Sequence, residues 1–277
     1  MSKPRLPNFF IVGAPKSGTT SLYHYLDQHP EIYMSPVKEP NYFAPEFRLE
    51  GFAEALHERI RREAEELREY LAGPMLEKRF GAVGLQWTDY LKLFRNANGE
   101  KAIGEASVCY LWSDSAARNI FARIPDAKII MILRDPTERA ASQYRQWAAK
   151  GILEKPFRDM CEWSIAHQGG KFQAMSPFLE LGLYAEQVKR YLGLFPRENI
   201  RIFLYEDYQR DAAGMMSDTF RFLGVDVSFC PNMSQRHLVG KGVALDDEDR
   251  AYLTAYYRDD VRKLSQLLDR DLSAWER

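Results

Sequence analysis

The sequence predicts an α/β fold in which a central parallel β-sheet is flanked by helices. Three short apolar runs are typical of buried parallel strands, namely Phe9–Gly13, Lys128–Leu133 and Ile200–Leu204. Each run lies next to a segment with helical character, and strands that alternate with helices favour a parallel sheet. Ligands of such sheets bind at the carboxyl ends of the strands. We therefore expect a functional site where these three runs end.

The loop after the first strand has the spacing of a phosphate-binding loop. Gly13 and Gly18 stand where the pattern GxxxxGK[ST] has its glycines. In that loop, backbone N–H groups at a helix N-terminus hold a phosphate. The sequence predicts a helix that is capped by Ser17 or Gly18 and ends near residues 28–30.

The same loop departs from an NTP-binding sequence. Thr19 and Thr20 follow the second glycine, where an NTP-binding loop has Lys and then Ser or Thr. The lysine of this loop, Lys16, lies inside it. From there it cannot reach a β/γ-phosphate pair, but it can reach a 5′-phosphate and the group that leaves from it. The loop therefore predicts a nucleotide other than ATP, held by Lys16 and the hydroxyls of Ser17, Thr19 and Thr20.

A second anion site is predicted after the second strand. Arg134 follows that strand directly, Pro136 suits the first turn of a helix, and Ser142 lies about two helical turns further on. A guanidinium and a hydroxyl suit a second, dianionic phosphate. Arg134 alone would as readily be a partner in a structural ion pair, but the preceding loop favours phosphate binding.

Two later segments complete the organisation of the chain. In residues 51–71 apolar side chains recur every three or four positions among Glu and Arg, which predicts an amphipathic surface helix or, alternatively, a mobile lid. Residues 184–195 read as a helix, and further helices start from Asp246. Between them, Lys241 lies between Gly240 and Gly242, in a loop that either approaches a ligand or is merely flexible. The absence of repeats and linkers predicts one domain, residues 1–277.

Composition narrows the function and the location. The net charge of −1 gives no global basic field, so we expect no nucleic-acid partner. The three cysteines lack metal-ligand spacing and indicate buried thiols in a reducing compartment. With no signal peptide and no apolar run near the ~20 residues of a membrane span, we expect a cytoplasmic protein.

Four motifs together resemble the sulfotransferases that use 3′-phosphoadenosine-5′-phosphosulfate (PAPS). The resemblance is greatest to the branch of the heparan sulfate sulfotransferases and their soluble bacterial relatives. It runs from Phe9 to the end of the chain, and the first and last of the four motifs carry most of its specificity. The motifs are residues 15–20, 38–40, 104–107 and 132–144.

The resemblance implies a role for individual residues. Arg134 and Ser142 match contacts of the 3′-phosphate, and Lys241 with Gly242 resembles a late loop that closes over the nucleotide. Glu39 matches the general base that takes the proton of the acceptor. The residues that match the 5′-phosphosulfate loop are Lys16, Ser17, Gly18, Thr19 and Thr20.

Glu39 is the least secure of these assignments. Without the resemblance it would be interpreted as a surface carboxylate, although Pro40 directs it away from helical conformation. The family usually has Lys at the position of Ala106 and His at that of Asn41. Lys38 or Lys16 would have to take the place of the lysine that is absent at Ala106. If the base were the missing histidine, the nearby alternatives are His24, His29 and His57, of which His29 suits a structural role at a helix end.

The resemblance therefore implies transfer of a sulfuryl group from PAPS to a hydroxyl or amine, with Glu39 and Lys16 catalytic and 3′,5′-ADP as product. No metal is expected, because lysine and arginine supply the positive charge. The acceptor is a small molecule, a carbohydrate or a lipid, held by residues 51–71 and 163–181. The competing functions are a P-loop kinase or NTPase, with Asp135 on Mg²⁺, and a non-catalytic nucleotide-binding module.

Overall fold

Five parallel strands form the central sheet of the protein. The computed structural model describes residues 5–153, 155–168, 177–234 and 245–277. Its strands are β1 (Phe9–Gly13), β2 (Ile32–Met34), β3 (Val37–Lys38), β4 (Arg79–Phe80), β5 (Ala102–Ala106), β6 (Lys128–Leu133) and β7 (Ile200–Leu204). The sheet has the order β2-β5-β1-β6-β7, while β3 and β4 pair separately. The predicted α/β class with a central parallel sheet is confirmed.

Helices cover both faces of this sheet. They are α1 (Thr19–Leu26), α2 (His57–Ala72), α3 (Trp87–Lys92), α4 (Cys109–Trp112), α5 (Ala116–Arg123), α6 (Pro136–Ala149), α7 (Phe157–Ala166), α8 (Tyr184–Leu192), α9 (Tyr205–Arg210), α10 (Ala212–Leu223) and α11 (Asp247–Leu268). None of the helices in the described ranges is long and apolar enough to cross a membrane.

The alternation of side chains along β1 divides the core in two. Phe9 and Ile11 join a buried cluster with α1 and α10, whereas Phe10 and Val12 join the cluster that contains α4, α8 and α11. Successive side chains of a strand point to opposite faces, so a central parallel strand is apolar along its whole length. β1 is buried at every position. This arrangement fixes the carboxyl end of β1 in the middle of the sheet.

Most of the predicted elements are present, with two corrections. The amphipathic helix is α2, which begins at His57 and not near residue 51, because Phe52 is extended (φ −102°, ψ 153°) between two 3-10 turns. Of the two caps predicted for α1, Gly18 is the one observed. Of the three cysteines, Cys230 is exposed, although we expected buried thiols. The single-domain organisation stays a prediction.

Candidate active site

The loop after β1 is packed against β6 and against α9. The amide of Ala14 donates to the carbonyl of Ile132 in β6 over 2.7 Å. Gly18 has a left-handed backbone (φ +88°), and a Cβ there would lie 3.1 Å from the ring of Tyr208. Ser17 is fully buried. The tight turn and the close rings explain why a glycine starts the helix. The loop therefore presents the N-terminus of α1 at a fixed place beyond the sheet.

Lys16 lies in this loop among other cations. Its backbone is left-handed (φ +65°) and its side chain is half-buried. The pKa of the Lys16 ammonium is lowered to about 8, first by burial and then by the positive charges of Lys150, Arg134, Arg139 and Lys38. Like charges that crowd one ammonium disfavour its charged form until an anion neutralises them. The loop thus has the electrostatics of an anion site.

Arg134 is held against the same loop. Its Nη1 donates to the carbonyl of Lys16 over 3.1 Å, and its guanidinium lies 4.7 Å from the ring centroid of Tyr205. An ion pair of 3.6 Å joins it to Glu138. Arg134 was predicted to be either a partner in a structural ion pair or part of a phosphate site. In the structure it has an ionic partner and also borders the loop after β1. Ser142 is buried in α6, and its role at the 3′-phosphate stays a prediction.

Glu39 lies at the end of β3 and pairs with a buried lysine. The ammonium of Lys38 is 2.9 Å from Oε1 of Glu39, and the exposed fractions of the two side chains are 3% and 18%. The backbone of Glu39 is left-handed (φ +64°) and not extended as the following proline would favour. Its amide donates to Ala106 in β5, and its carbonyl accepts from Ala82. Glu39 is thus a fixed, largely buried carboxylate rather than a surface one.

One cavity connects Glu39 with the loop. It has a volume of about 220 Å³ and is bordered by Glu39, by Pro15 of the loop, and by side chains of α4 and α6. Of the two segments predicted to form its walls, 163–181 contributes Pro177 and Leu181, whereas the described residues of 51–71 do not border it. The Glu39 carboxylate and the loop after β1 therefore face a common space.

A sequence model of the sulfotransferase family matches residues 7–228. The chain belongs to the sulfotransferase family. A solved sulfotransferase from Alicyclobacillus acidocaldarius is 35% identical to it, with a TM-score of 0.80, and the match covers 99% of this chain and 100% of the other. The predicted family and the predicted enzyme class are confirmed.

More distant relatives show the same family or fold. A membrane-associated sulfotransferase of Dictyostelium discoideum is 25% identical over 98% of this chain and 67% of its own length. The carbohydrate sulfotransferase 15 of Rattus norvegicus is 26% identical over 98% of this chain. This chain spans 55% of the length of that rat protein. A retinol dehydratase, solved with androsterone and the inactive cofactor PAP, shares the fold at 18% identity and a TM-score of 0.50, over 97% of this chain and 83% of its own.

In this sulfotransferase, Asp135 does not serve as the metal ligand of a kinase. Its carboxylate accepts from the amides of Thr137 and Glu138 and so caps α6. Burial raises the pKa of Asp135 to about 6. This capping role of Asp135 agrees with the loop after β1, whose sequence also departs from that of an NTP-binding loop.

A buried carboxyl that the sequence analysis did not assign lies behind Glu39. Glu105 is fully buried and accepts from the hydroxyls of Tyr90 at 2.8 Å, Tyr110 at 2.9 Å and Ser107 at 2.7 Å. Burial raises the pKa of Glu105 to about 7, and the nearby charge of Glu39 also raises it. The group is thus a buried acid, held by three hydroxyl donors, in the support of the site.

The two departures from the family have structural counterparts. Asn41 is buried; its Nδ2 donates to the carbonyl of Ala82 over 3.1 Å, and its Oδ1 accepts from the Cys109 thiol over 3.0 Å. Its amide group thus has the role of a buried structural link. Where the family has a lysine, Ala106 is fully buried, and Lys38 is the cation beside Glu39.

The histidine alternatives for the base do not border the cavity. His29 is buried, with its Nε2 2.9 Å from the carbonyl of Asp226, in agreement with a structural role. His57 has its Nε2 3.0 Å from the carbonyl of Phe52. His24 lies on α1 against the ring of Tyr23. Glu39 is the titratable carboxylate at the described cavity wall.

The structure thus groups Lys16, Ser17, Arg134 and Glu39 at the carboxyl ends of β1, β3 and β6. Lys241 and Gly242 lie outside the described residues. The sequence analysis did not assign Gln143, Trp112 and Trp147 to the cavity, and it assigned no contact to Tyr205 beneath Arg134. The early signal for Gln143 was its place in the motif of residues 132–144.

Proposed function

We propose that this sulfotransferase transfers a sulfuryl group from PAPS to a hydroxyl or amine of an acceptor that lies in the cavity beside Glu39. The observation that carries the proposal is the shared cavity, which Pro15 of the anion-binding loop and Glu39 both border. An acceptor there has a carboxylate on one side and the loop on the other. A catalytic group must lie within hydrogen-bond reach of the proton it takes, and this arrangement supports that requirement.

The residues present suit a nucleotide with two phosphate groups. Lys16 and the amides at the start of α1 would hold the 5′-phosphosulfate, and Arg134 with Ser142 would hold the 3′-phosphate. The supporting observation is the lowered pKa of Lys16, since burial and four cations act on it together. An anion relieves such repulsion, and loop amides with a lysine are the usual means of binding one. Lys241 and Gly242 complete the proposed nucleotide site by family resemblance.

The chemistry assigned to the chain is proton removal and charge stabilisation. The acceptor oxygen or nitrogen forms a bond to sulfur as the bond from sulfur to the 5′-phosphate oxygen breaks, and its proton passes to the Glu39 carboxylate. The electron pair of the broken bond stays on the phosphate oxygen, near the Lys16 ammonium. Charge placed in advance where negative charge develops lowers the barrier, and fixed reactants avoid an entropic cost. Lys16 and Arg134 supply the positive charge that a metal ion would supply elsewhere.

The acceptor and the location are further parts of this proposal. A small molecule, a carbohydrate and a lipid all carry a suitable hydroxyl; the rat relative is a carbohydrate sulfotransferase, and the retinol dehydratase was solved with androsterone. We expect no nucleic-acid partner, in line with the net charge of −1. A cytoplasmic location is supported by the free thiols of Cys109 and Cys161.

Thermal unfolding tests the nucleotide part of the proposal directly. A ligand at 100 times its dissociation constant stabilises a fold by about 2.7 kcal/mol, so 3′,5′-ADP without Mg²⁺ should raise the melting temperature by roughly 5–10 °C. The matched control is 5′-AMP, which lacks the 3′-phosphate and should give a much smaller shift. A large shift with ATP and Mg²⁺, and none with 3′,5′-ADP, would instead support the kinase.

A further inference from the structure

The walls of the cavity beside Glu39 restrict which acceptor fits it. We infer that the acceptor is a small, uncharged aromatic alcohol or amine of about one ring, and not an anionic polysaccharide. This inference rests on the proposed function, since it takes the cavity beside Glu39 as the acceptor site.

Aromatic side chains from three separate elements border the cavity. Trp112 ends α4, Trp147 belongs to α6, and Phe47 ends a 3-10 turn. Trp147 is held in turn by the ring of Phe178, whose centroid is 5.3 Å away. Aromatic rings bury a large apolar area and favour edge or offset contact with another ring. These walls therefore suit a flat apolar body.

The rest of the described lining is also apolar, apart from two side chains. Val108, Cys109 and Leu181 add to the walls, and the polar groups are Glu39 and Gln143. Oε1 of Gln143 accepts from Nη1 of the buried Arg139 over 2.5 Å. Because this bond occupies the amide oxygen, the group that Gln143 can offer an acceptor is its NH₂ donor. The described walls thus offer an acceptor the Glu39 carboxylate and the NH₂ donor of Gln143 on largely apolar surroundings.

The charges on the described cavity walls argue against an anionic polysaccharide as acceptor. No lysine or arginine borders the cavity in the described parts of the chain, and Lys38 is already paired with Glu39. The sulfate or carboxylate groups of a polysaccharide would meet apolar walls and the negative Glu39. Burying an unpaired charge costs far more than burying an apolar surface, so such an acceptor would bind poorly here.

The volume of the cavity also favours a small acceptor. The cavity volume of about 220 Å³ lies below the ~300–1,000 Å³ of pockets that hold drug-sized ligands. A single substituted ring fits such a space, whereas a chain of sugar units could place at most about one unit inside it.

A panel of probes tests this inference with and without catalysis. The assay measures transfer of labelled sulfate from PAPS to 4-methylphenol, 4-methylbenzylamine, N-acetylglucosamine and desulfated heparin. In parallel, 4-methylphenol is titrated into the protein saturated with 3′,5′-ADP, and binding is followed by the fluorescence of Trp112 and Trp147. We expect saturable binding of 4-methylphenol and a specificity constant kcat/KM that is highest for the single-ring probes.

Matched substitutions locate the bound ring. Trp147→Leu and Trp112→Leu, which lie on different helices, should each raise the KM for 4-methylphenol roughly tenfold, the scale of one lost aromatic contact. Trp87→Leu removes a tryptophan that stacks on Tyr90 and does not border the cavity, so it should leave the KM unchanged. Melting temperature and 3′,5′-ADP affinity, measured on each variant, report whether the fold and the nucleotide site are intact.

The outcomes separate this inference from the proposed function. If 3′,5′-ADP does not stabilise the protein, the proposed function fails. If 3′,5′-ADP binds but 4-methylphenol does not, or if desulfated heparin has the higher kcat/KM, only the acceptor class inferred here is wrong. An unchanged KM in both Trp147→Leu and Trp112→Leu would also overturn it.

Discussion

Replacing Glu39 by glutamine tests the proton-transfer step, provided that the ion pair with Lys38 is taken into account. Glutamine keeps the shape of the side chain but cannot take the acceptor proton, so turnover should fall by ~10²–10⁴-fold. It also leaves the Lys38 ammonium, with a side chain only 3% exposed, without its counter-ion. Breaking a buried pair costs ~3–5 kcal/mol. Since the amide oxygen of glutamine still accepts a hydrogen bond, we expect a loss of roughly 1–3 kcal/mol.

A second substitution separates the two effects. In the double variant Lys38→Met/Glu39→Gln no charge is left unpaired, and replacing both members of a buried pair by uncharged groups is often neutral. Methionine also suits the contact that the Lys38 ammonium makes with the ring of Phe80, 4.6 Å from its centroid. Stability should therefore largely return, whereas turnover should stay low. The affinity for 3′,5′-ADP should remain near that of the wild type throughout.

Three measurements decide this prediction. Transfer of labelled sulfate to 4-methylphenol gives turnover, urea unfolding gives stability, and calorimetry gives 3′,5′-ADP affinity. If the double variant regains both stability and turnover, Glu39 is only the counter-ion of Lys38. Near-normal turnover in Glu39→Gln alone would show that Glu39 is not the base. The role of taking the acceptor proton would then fall to water or to a histidine such as His24.

Three further predictions concern the rest of the site. Arg134→Ala removes a charge-assisted contact worth ~1.5–3 kcal/mol, so calorimetry should show a roughly tenfold or larger rise in the dissociation constant of 3′,5′-ADP, with Ser142→Ala in the same direction. The pKa of Lys16 is about 8 in the free protein, and only the charged ammonium attracts phosphate, so 3′,5′-ADP affinity should be highest between pH ~6, above which the phosphates are dianionic, and pH ~8, and should fall above pH ~8. The pKa of Glu105 is raised to about 7 in the folded protein, so its contribution to stability is complete below pH ~4.5 and is lost, by on the order of 3 kcal/mol, as pH rises to ~7. The free energy of unfolding of Glu105→Gln, measured with urea, should therefore depend less on pH than that of the wild type.

Each of these expectations has its own contrary result. Unchanged affinity in a folded Arg134→Ala variant would remove that residue from the nucleotide site. Lys16→Met is the control for the pH series: it should bind more weakly and lose the decline above pH ~8, and a decline that persists belongs to another group. A pH dependence of stability that is identical in wild type and Glu105→Gln would show that Glu105 ionises without cost in the fold.

The sequence predicts those parts of the fold that depend on local pattern. β1, β6 and β7 are apolar runs long enough to recognise, and α11 begins directly after Asp246, where a helix was predicted to start. β5 was not predicted, because Gly104 and Glu105 interrupt its apolar character. Both residues are explained only by distant contacts, since a Cβ at position 104 would overlap the ring of Phe9 and Glu105 requires three hydroxyl donors. A central strand can thus be specified by its neighbours more than by its own residues.

The site also has a part that local sequence patterns predict and a part that depends on distant contacts. The phosphate loop and Arg134 follow their strands directly, so the motif and the strand pattern suffice to place them together. The pairing of Lys38 with Glu39 was not foreseen, because adjacent residues on a strand ordinarily face opposite sides. It depends on the left-handed turn at Glu39. The cavity brings together side chains from α4, α6 and two 3-10 turns, and no local pattern indicates that these surfaces meet.

The left-handed backbone at the site has a consequence for attempts to make this protein more heat-resistant. Lys16, Glu39 and Asn41 have φ values of +65°, +64° and +56°. A residue with a Cβ bears a cost of about 1–2 kcal/mol in this conformation. Judged on backbone geometry alone, glycine would be a stabilising replacement at each position. At Lys16 and Glu39 that choice would delete the ammonium and the carboxylate proposed to carry the reaction. Thermostable variants should therefore be sought on the outer helices, with these positions held constant.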